Sequence, residues 1–86
     1  LSVRRECLEG AINQITSEKA AEYGDFNTIA ARLSARWGIS FEDVPLFLAD
    51  LELCRILNSP GARTRRNFEA LAGYVALACE VNERAS

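Results

Sequence analysis

The residues best placed to do chemistry are four arginines gathered around one turn. Arg55 closes a strongly apolar segment, and Arg63, Arg65 and Arg66 follow in "RTRR", where the last apolar pattern begins. A guanidinium fork matches phosphate or carboxylate through two parallel hydrogen bonds. The unpaired N–H groups at a helix start add further attraction for an anion. Basic residues there otherwise oppose the helix dipole, at a cost of roughly a few tenths of a kcal/mol each. The cluster therefore reads as a contact for an acidic protein surface or an anion site. Its plainer reading is a solvated turn in which Glu69, three residues after Arg66, offsets part of the charge. Carboxylates form the second group. Glu18 and Glu22 are spaced i, i+4, and Glu80 and Glu83 i, i+3. Such pairs on facing helices can hold a hard cation such as Mg²⁺. They equally suit the outer face of any helix. Asp50 and Glu52, two residues apart, do not share a helical face.

Other chemistries lack their parts. With no histidine, the chain has neither a Ser–His or Cys–His pair nor a common zinc ligand. The five glycines are scattered and form no phosphate loop. Cys7, Cys54 and Cys79 are odd in number, contain no C-x-x-C pair and fall at apolar helical positions, as small core residues would. That usage suggests a reducing, cytoplasmic compartment. No apolar run nears the roughly 18 residues a membrane span needs, and no signal peptide pattern is visible. With no methionine in the chain, Leu1 is read as following a removed or unrecorded start. Net charge is −2 from ten basic and twelve acidic residues, so no global field draws the chain to nucleic acid or membrane. Nucleic-acid binding would also want aromatic side chains interleaved with the basic ones.

The elements that must position these groups are helices. Residues 1–86 read as one all-α domain of four helices, a compact four-helix bundle. The first helix spans about Ser2 to Tyr23, with Ser2 as cap and Gly24 as terminator. Its stripe is Val3, Cys7, Ala11 and Ile15, with Leu8 and Ile12 beside it. Asp25 or Asn27 caps a second helix to Arg36 or Trp37, whose inward face is Ile29, Ala30, Leu33 and Trp37, and Gly38 stops it. Ser40 or, better, Asp43 opens a third helix, which places Pro45 in the first turn. From Val44 to Leu57 this helix is apolar nearly all round, so it is either central or covered by a second subunit. That surplus raises a homodimer as a partner. "NSPG" is a turn, and Thr64 caps a fourth helix to about Glu83, with Phe68, Leu71, Ala72, Val75, Ala78 and Cys79 facing the core. Small residues from Ala70 to Ala78 permit close approach to a neighbour.

Several stretches together, "CLEGAINQITSEKAAEYGDFNTIAARLSARWG", "DV", "CRI" and "LAGYVALACE", resemble a family of small phage and prophage helical proteins of unknown function. That family is in turn loosely similar to the MazG-like all-α nucleoside triphosphate pyrophosphohydrolases. The resemblance spans Cys7 to Glu80 and rests on Tyr23, Gly24, Asp25, Asn27, Trp37, Asp43, Val44, Arg55 and the "AGY" of residues 72–74. It implies an all-helical fold and a phage-type origin. Three positions depart from the family pattern. Glu52 stands where a lysine precedes the arginine by three residues, Arg66 where an acid opens the last helix, and Ala70 where an aspartate precedes "LAGY".

Alanine can neither ligate a cation nor orient a polar substrate. The expectation is therefore a non-catalytic interaction protein on a hydrolase-like scaffold. It would bind a host protein, such as a defence component, through Arg55, Arg63, Arg65 and Arg66, with no cofactor. The alternative is a nucleotide-binding or Mg²⁺-dependent pyrophosphohydrolase-like enzyme using Glu18, Glu22 and Glu80.

Overall fold

The computed structural model describes residues 2–16 and 26–85. Four α-helices, and no strand among the described residues, make the fold: α1 (Ser2–Thr16), α2 (Phe26–Trp37), α3 (Val44–Asn58) and α4 (Arg65–Ala85). Single 3₁₀ turns at Phe41–Asp43 and Pro60–Ala62 lead into α3 and follow it. The expected stretch of the first helix beyond Thr16, with Gly24 as terminator and Asp25 as cap, lies outside the described residues.

α4 is the shared wall. It packs against α1 on one side and α3 on the other, while α2 lies against α3 and the Phe41–Asp43 turn. The α1–α4 pairs rise together in number: Glu6 meets Arg65, Gly10 meets Glu69, and Ile15 meets Gly73. These two helices run parallel. Along α3 and α4 the numbers oppose each other, since Asn82 reaches the Glu42 carbonyl while Arg63 reaches the Ile56 carbonyl. α3 and α4 are thus an antiparallel hairpin.

Small residues set the α1–α4 distance. Gly73 is buried, and a Cβ there would stand 3.1 Å from Ile15 Cγ2 and 3.8 Å from the Ala11 carbonyl oxygen. At Gly10 the Glu69 carboxylate occupies the space a side chain would need. The expected close approach of the fourth helix is present at these two points. α3 starts as its Pro45 predicts, but Asp43 stands at the N-cap position in αR geometry with no side-chain cap bond. The preceding 3₁₀ turn replaces the cap, because its own carbonyls already take the first N–H groups: Asp43 N–H donates to Ser40 O and Val44 N–H to Phe41 O. Ser2 and Asn27, expected as caps, sit inside their helices. Gly38 ends α2 as expected. Its φ of +70° suits a residue without Cβ, and its N–H donates to Ser34 O at 3.0 Å.

The buried set is narrower than the apolar pattern suggests. Ala11, Ala30, Val44, Pro45, Ala49, Ile56, Gly73, Ala78 and Val81 are buried, and one charged residue joins them, Glu52. Several expected core residues are exposed instead. Trp37 is 68% exposed, because the α2 stripe runs past the surface against which that helix packs. Val3, Leu8 and Ile12 flank the α1 contact line without entering it. On α4, Phe68, Val75 and Cys79 are exposed as well. Close helix approach favours the small-residue side of α4, so Gly73 and Ala78 take the interior and the bulkier stripe is left outside. α3 matches its expectation as a helix apolar on all sides, with Leu46, Phe47, Leu51, Leu53 and Leu57 all exposed.

Candidate functional site

The four candidate arginines have distinct surroundings. Arg63 precedes α4, and its Nε donates to the Ile56 carbonyl at 3.1 Å, satisfying an acceptor of the last turn of α3. Arg65, the first residue of α4, pairs with Glu6 of α1 at 2.6 Å. Arg55 reaches back one turn to Glu52, 3.1 Å away. Arg66 is exposed, and its guanidinium has no protein partner among the described residues; only its carbonyl is engaged, accepting from the Gln14 side-chain amide at 3.3 Å. Glu69 does not pair with it, because its carboxylate lies over Gly10 and accepts from Gln14 at 3.2 Å. Two of the arginines therefore tie the start of α4 to α1 and to α3, and the Arg66 charge is unpaired among the described residues.

The turn itself is held by ordinary helix-end chemistry. Thr64 is the cap the sequence predicts, though its Oγ1 accepts from Asn67 N–H at a long 3.4 Å. Asn67 adds a firmer link, its side-chain amide donating to the Ala62 carbonyl at 2.8 Å. The helix start thus does not need a bound anion to be complete.

Of the acidic candidates Glu18, Glu22 and Glu80, only Glu80 is among the described residues. Glu80 pairs with Arg84 at 2.6 Å on the exposed face of α4. Glu18 and Glu22 lie outside the described residues. Among the described residues no group of three or more cysteines and acids could hold a metal ion, and no helix is long and apolar enough to cross a membrane. The three cysteines are free thiols, with Cys54 and Cys79 exposed rather than packed as core.

The feature that pattern reading missed is Glu52. Pro45, Ala49, Glu52 and Ile56 recur at i, i+4, i+7 and i+11, so the carboxylate falls within the buried stripe of α3. It is 5% exposed, and its Oε1 has no hydrogen-bond partner among the described residues. That spacing with Pro45, Ala49 and Ile56 is present in the sequence and is the signal that places the acid on the inner stripe. Across from it, Tyr74 of α4 is half-buried. Burial, and then the nearby Glu52 carboxylate, raise its phenol above the ordinary 10.0, against a smaller lowering by Arg55. Beside this pair a shallow open depression is lined by Leu51, Cys54, Arg55, Leu57 and Asn58.

The described part of the site therefore comprises an exposed Arg66 guanidinium with no partner among the described residues, a partly shielded Glu52–Arg55 ion pair and much exposed apolar area. No known protein family, curated protein or solved structure matches the chain.

Proposed function

We propose that the chain is a non-catalytic interaction protein that binds another protein through its arginine-bearing edge. The observation that carries this reading is the division of labour among the arginines. Arg63 and Arg65 hold helices together, while Arg66 stays exposed and unpaired among the described residues. Arg55 shares a shallow depression on α3 with Leu51, and Gln14 of α1 bonds the Arg66 carbonyl. The binding face thus carries two guanidinium groups beside apolar side chains such as Leu51, a composition typical of protein interfaces. An acidic protein surface is the complementary partner. The resemblance to phage and prophage proteins points to a host protein, for example a defence component, met in the cytoplasm where free thiols stay reduced.

The test is capture from host-cell lysate on immobilised protein, followed by titration of the purified partner. One stoichiometric partner is expected, bound at least tenfold more weakly by Arg66→Glu. Binding indifferent to Arg66→Glu and Arg55→Glu would refute the reading. The alternative, a nucleotide-binding or Mg²⁺-dependent pyrophosphohydrolase-like enzyme, has the unpartnered Glu52 oxygen in its favour. It predicts a nucleotide-induced rise in melting temperature that requires Mg²⁺.

A further inference from the structure

Gly10 stands in the middle of α1, where glycine destabilises a helix relative to alanine. Gly73, the other glycine of the α1–α4 crossing, has a packing reason, since a Cβ there would stand 3.1 Å from Ile15 Cγ2. At Gly10 the three atoms nearest to where a Cβ would stand all belong to one flexible side chain: Oε2, Cδ and Cγ of Glu69. What the missing Cβ makes room for is a carboxylate. The Gln14 amide, one turn further along α1, holds the second oxygen of that carboxylate. It donates to Glu69 Oε1 at 3.2 Å and to the Arg66 carbonyl at 3.3 Å. On α4 itself Glu69 has two basic neighbours at helical contact spacing, Arg65 at i−4 and Arg66 at i−3. Arg65 already pairs with Glu6 at 2.6 Å. Arg66 is exposed and its guanidinium has no partner among the described residues, although an acid that could neutralise it is three residues away.

We infer that Gly10 and Gln14 are positioning residues for the arginine edge: they hold Glu69 against α1 and so keep the Arg66 guanidinium open to an acidic partner. The inference rests on the interaction reading above and adds to it a determinant of affinity. Three observations carry it. First, the gap at Gly10 exists only for want of a Cβ, and the carboxylate fills it. Second, Gln14 bonds both the acid and the backbone of the arginine that the acid would otherwise cover, which fixes the two relative to each other. Third, Arg65 is occupied, so a Glu69 released from α1 has Arg66 as the unpaired cation within reach on its own helix. Released, it acts twice against an acidic partner. Its ion pair with Arg66 must be broken, and its own charge repels the incoming surface. An exposed pair of this kind is weak, so the device tunes affinity and does not gate it.

The test follows the Arg66 Nε–Hε resonance of the isotope-labelled full chain by NMR, at low salt, during titration with a hexa-aspartate peptide. Gly10→Ala, which displaces the carboxylate and keeps α1 helical, should weaken peptide binding about two- to fivefold, and so should Gln14→Ala. Adding Glu69→Gln to either should restore it, a rescue that a merely misplaced helix would not give. Without peptide, Glu69→Gln should shift the Arg66 resonance in Gly10→Ala and leave it in place in the otherwise unaltered chain. Peptide binding that needs Arg66 but is indifferent to Gly10→Ala and Gln14→Ala overturns the inference. So does a Glu69→Gln that strengthens binding as much in the unaltered chain as in Gly10→Ala, since the acid would then cover Arg66 already. Peptide binding unmoved by Arg66→Glu is a separate failure, that of the interaction reading itself.

Discussion

Replacing Glu52 by methionine should make the protein more stable. The carboxylate is 5% exposed, while the Arg55 side chain that pairs with it is 62% exposed. The two ends of this ion pair therefore stand in different solvents. Glu52 has lost its hydration, and among the described residues one of its oxygens accepts no hydrogen bond and its neutralising partner is still largely in water. An unsatisfied buried polar group costs about 1–3 kcal/mol, and a largely exposed pair returns at most about 1 kcal/mol. Methionine has similar length and bulk, so the cavity stays filled, and the freed Arg55 remains hydrated. The expected gain is about 1–2 kcal/mol, which for a domain of this size is about 4–16 °C in Tm. Arg55→Ala should move stability the other way by about 1–2 kcal/mol, since it leaves a buried charge unpaired. The double variant should match Glu52→Met alone, which gives the cycle a large coupling. Urea unfolding at fixed protomer concentration measures all four corners. A loss of 1 kcal/mol or more in Glu52→Met would refute the reasoning and mean that the unpartnered oxygen has a ligand in solution.

The two glycines of the α1–α4 crossing should respond differently. Gly73→Val must push against Ile15 and the α1 backbone, and should cost about 2 kcal/mol or more. Gly10→Ala displaces only the flexible end of Glu69, so a helix-propensity gain of about 1 kcal/mol offsets the lost Gln14 bond and the change is close to neutral. Thermal unfolding of both variants checks the contrast. At high pH the raised Tyr74 phenol means that the unfolded chain ionises first, so the folded state binds more protons and stability falls as pH climbs past about 10. Tyr74→Phe should flatten that alkaline decline, and Glu52→Gln should lessen it, as read by urea midpoints between pH 8 and 11. Arg63→Ala removes the bond to Ile56 O and should cost about 1 kcal/mol, whereas the exposed Arg65–Glu6 pair should show a coupling of about 0.2–1 kcal/mol in a double-mutant cycle.

The helices, their order and most of their ends were legible because those depend on local chemistry. Gly38 needs a left-handed turn, Pro45 suits a first turn, and Thr64 stands where a cap is wanted. What the pattern did not reveal is which of two apolar stripes turns inward. On α4 Ala78 is buried as its stripe predicts, but Phe68, Val75 and Cys79 of the same stripe are exposed, while Gly73 and Val81 are buried. Hydrophobic periodicity measures how much a side chain gains from leaving water. It is blind to how closely a second backbone can approach, and that is what Gly10, Ala11 and Gly73 decide. The arginines take separate surroundings for a related reason. Nearness in sequence suggested one site, but residues on either side of a helix start diverge by roughly 100° per position, so Arg63 and Arg65 found different helices.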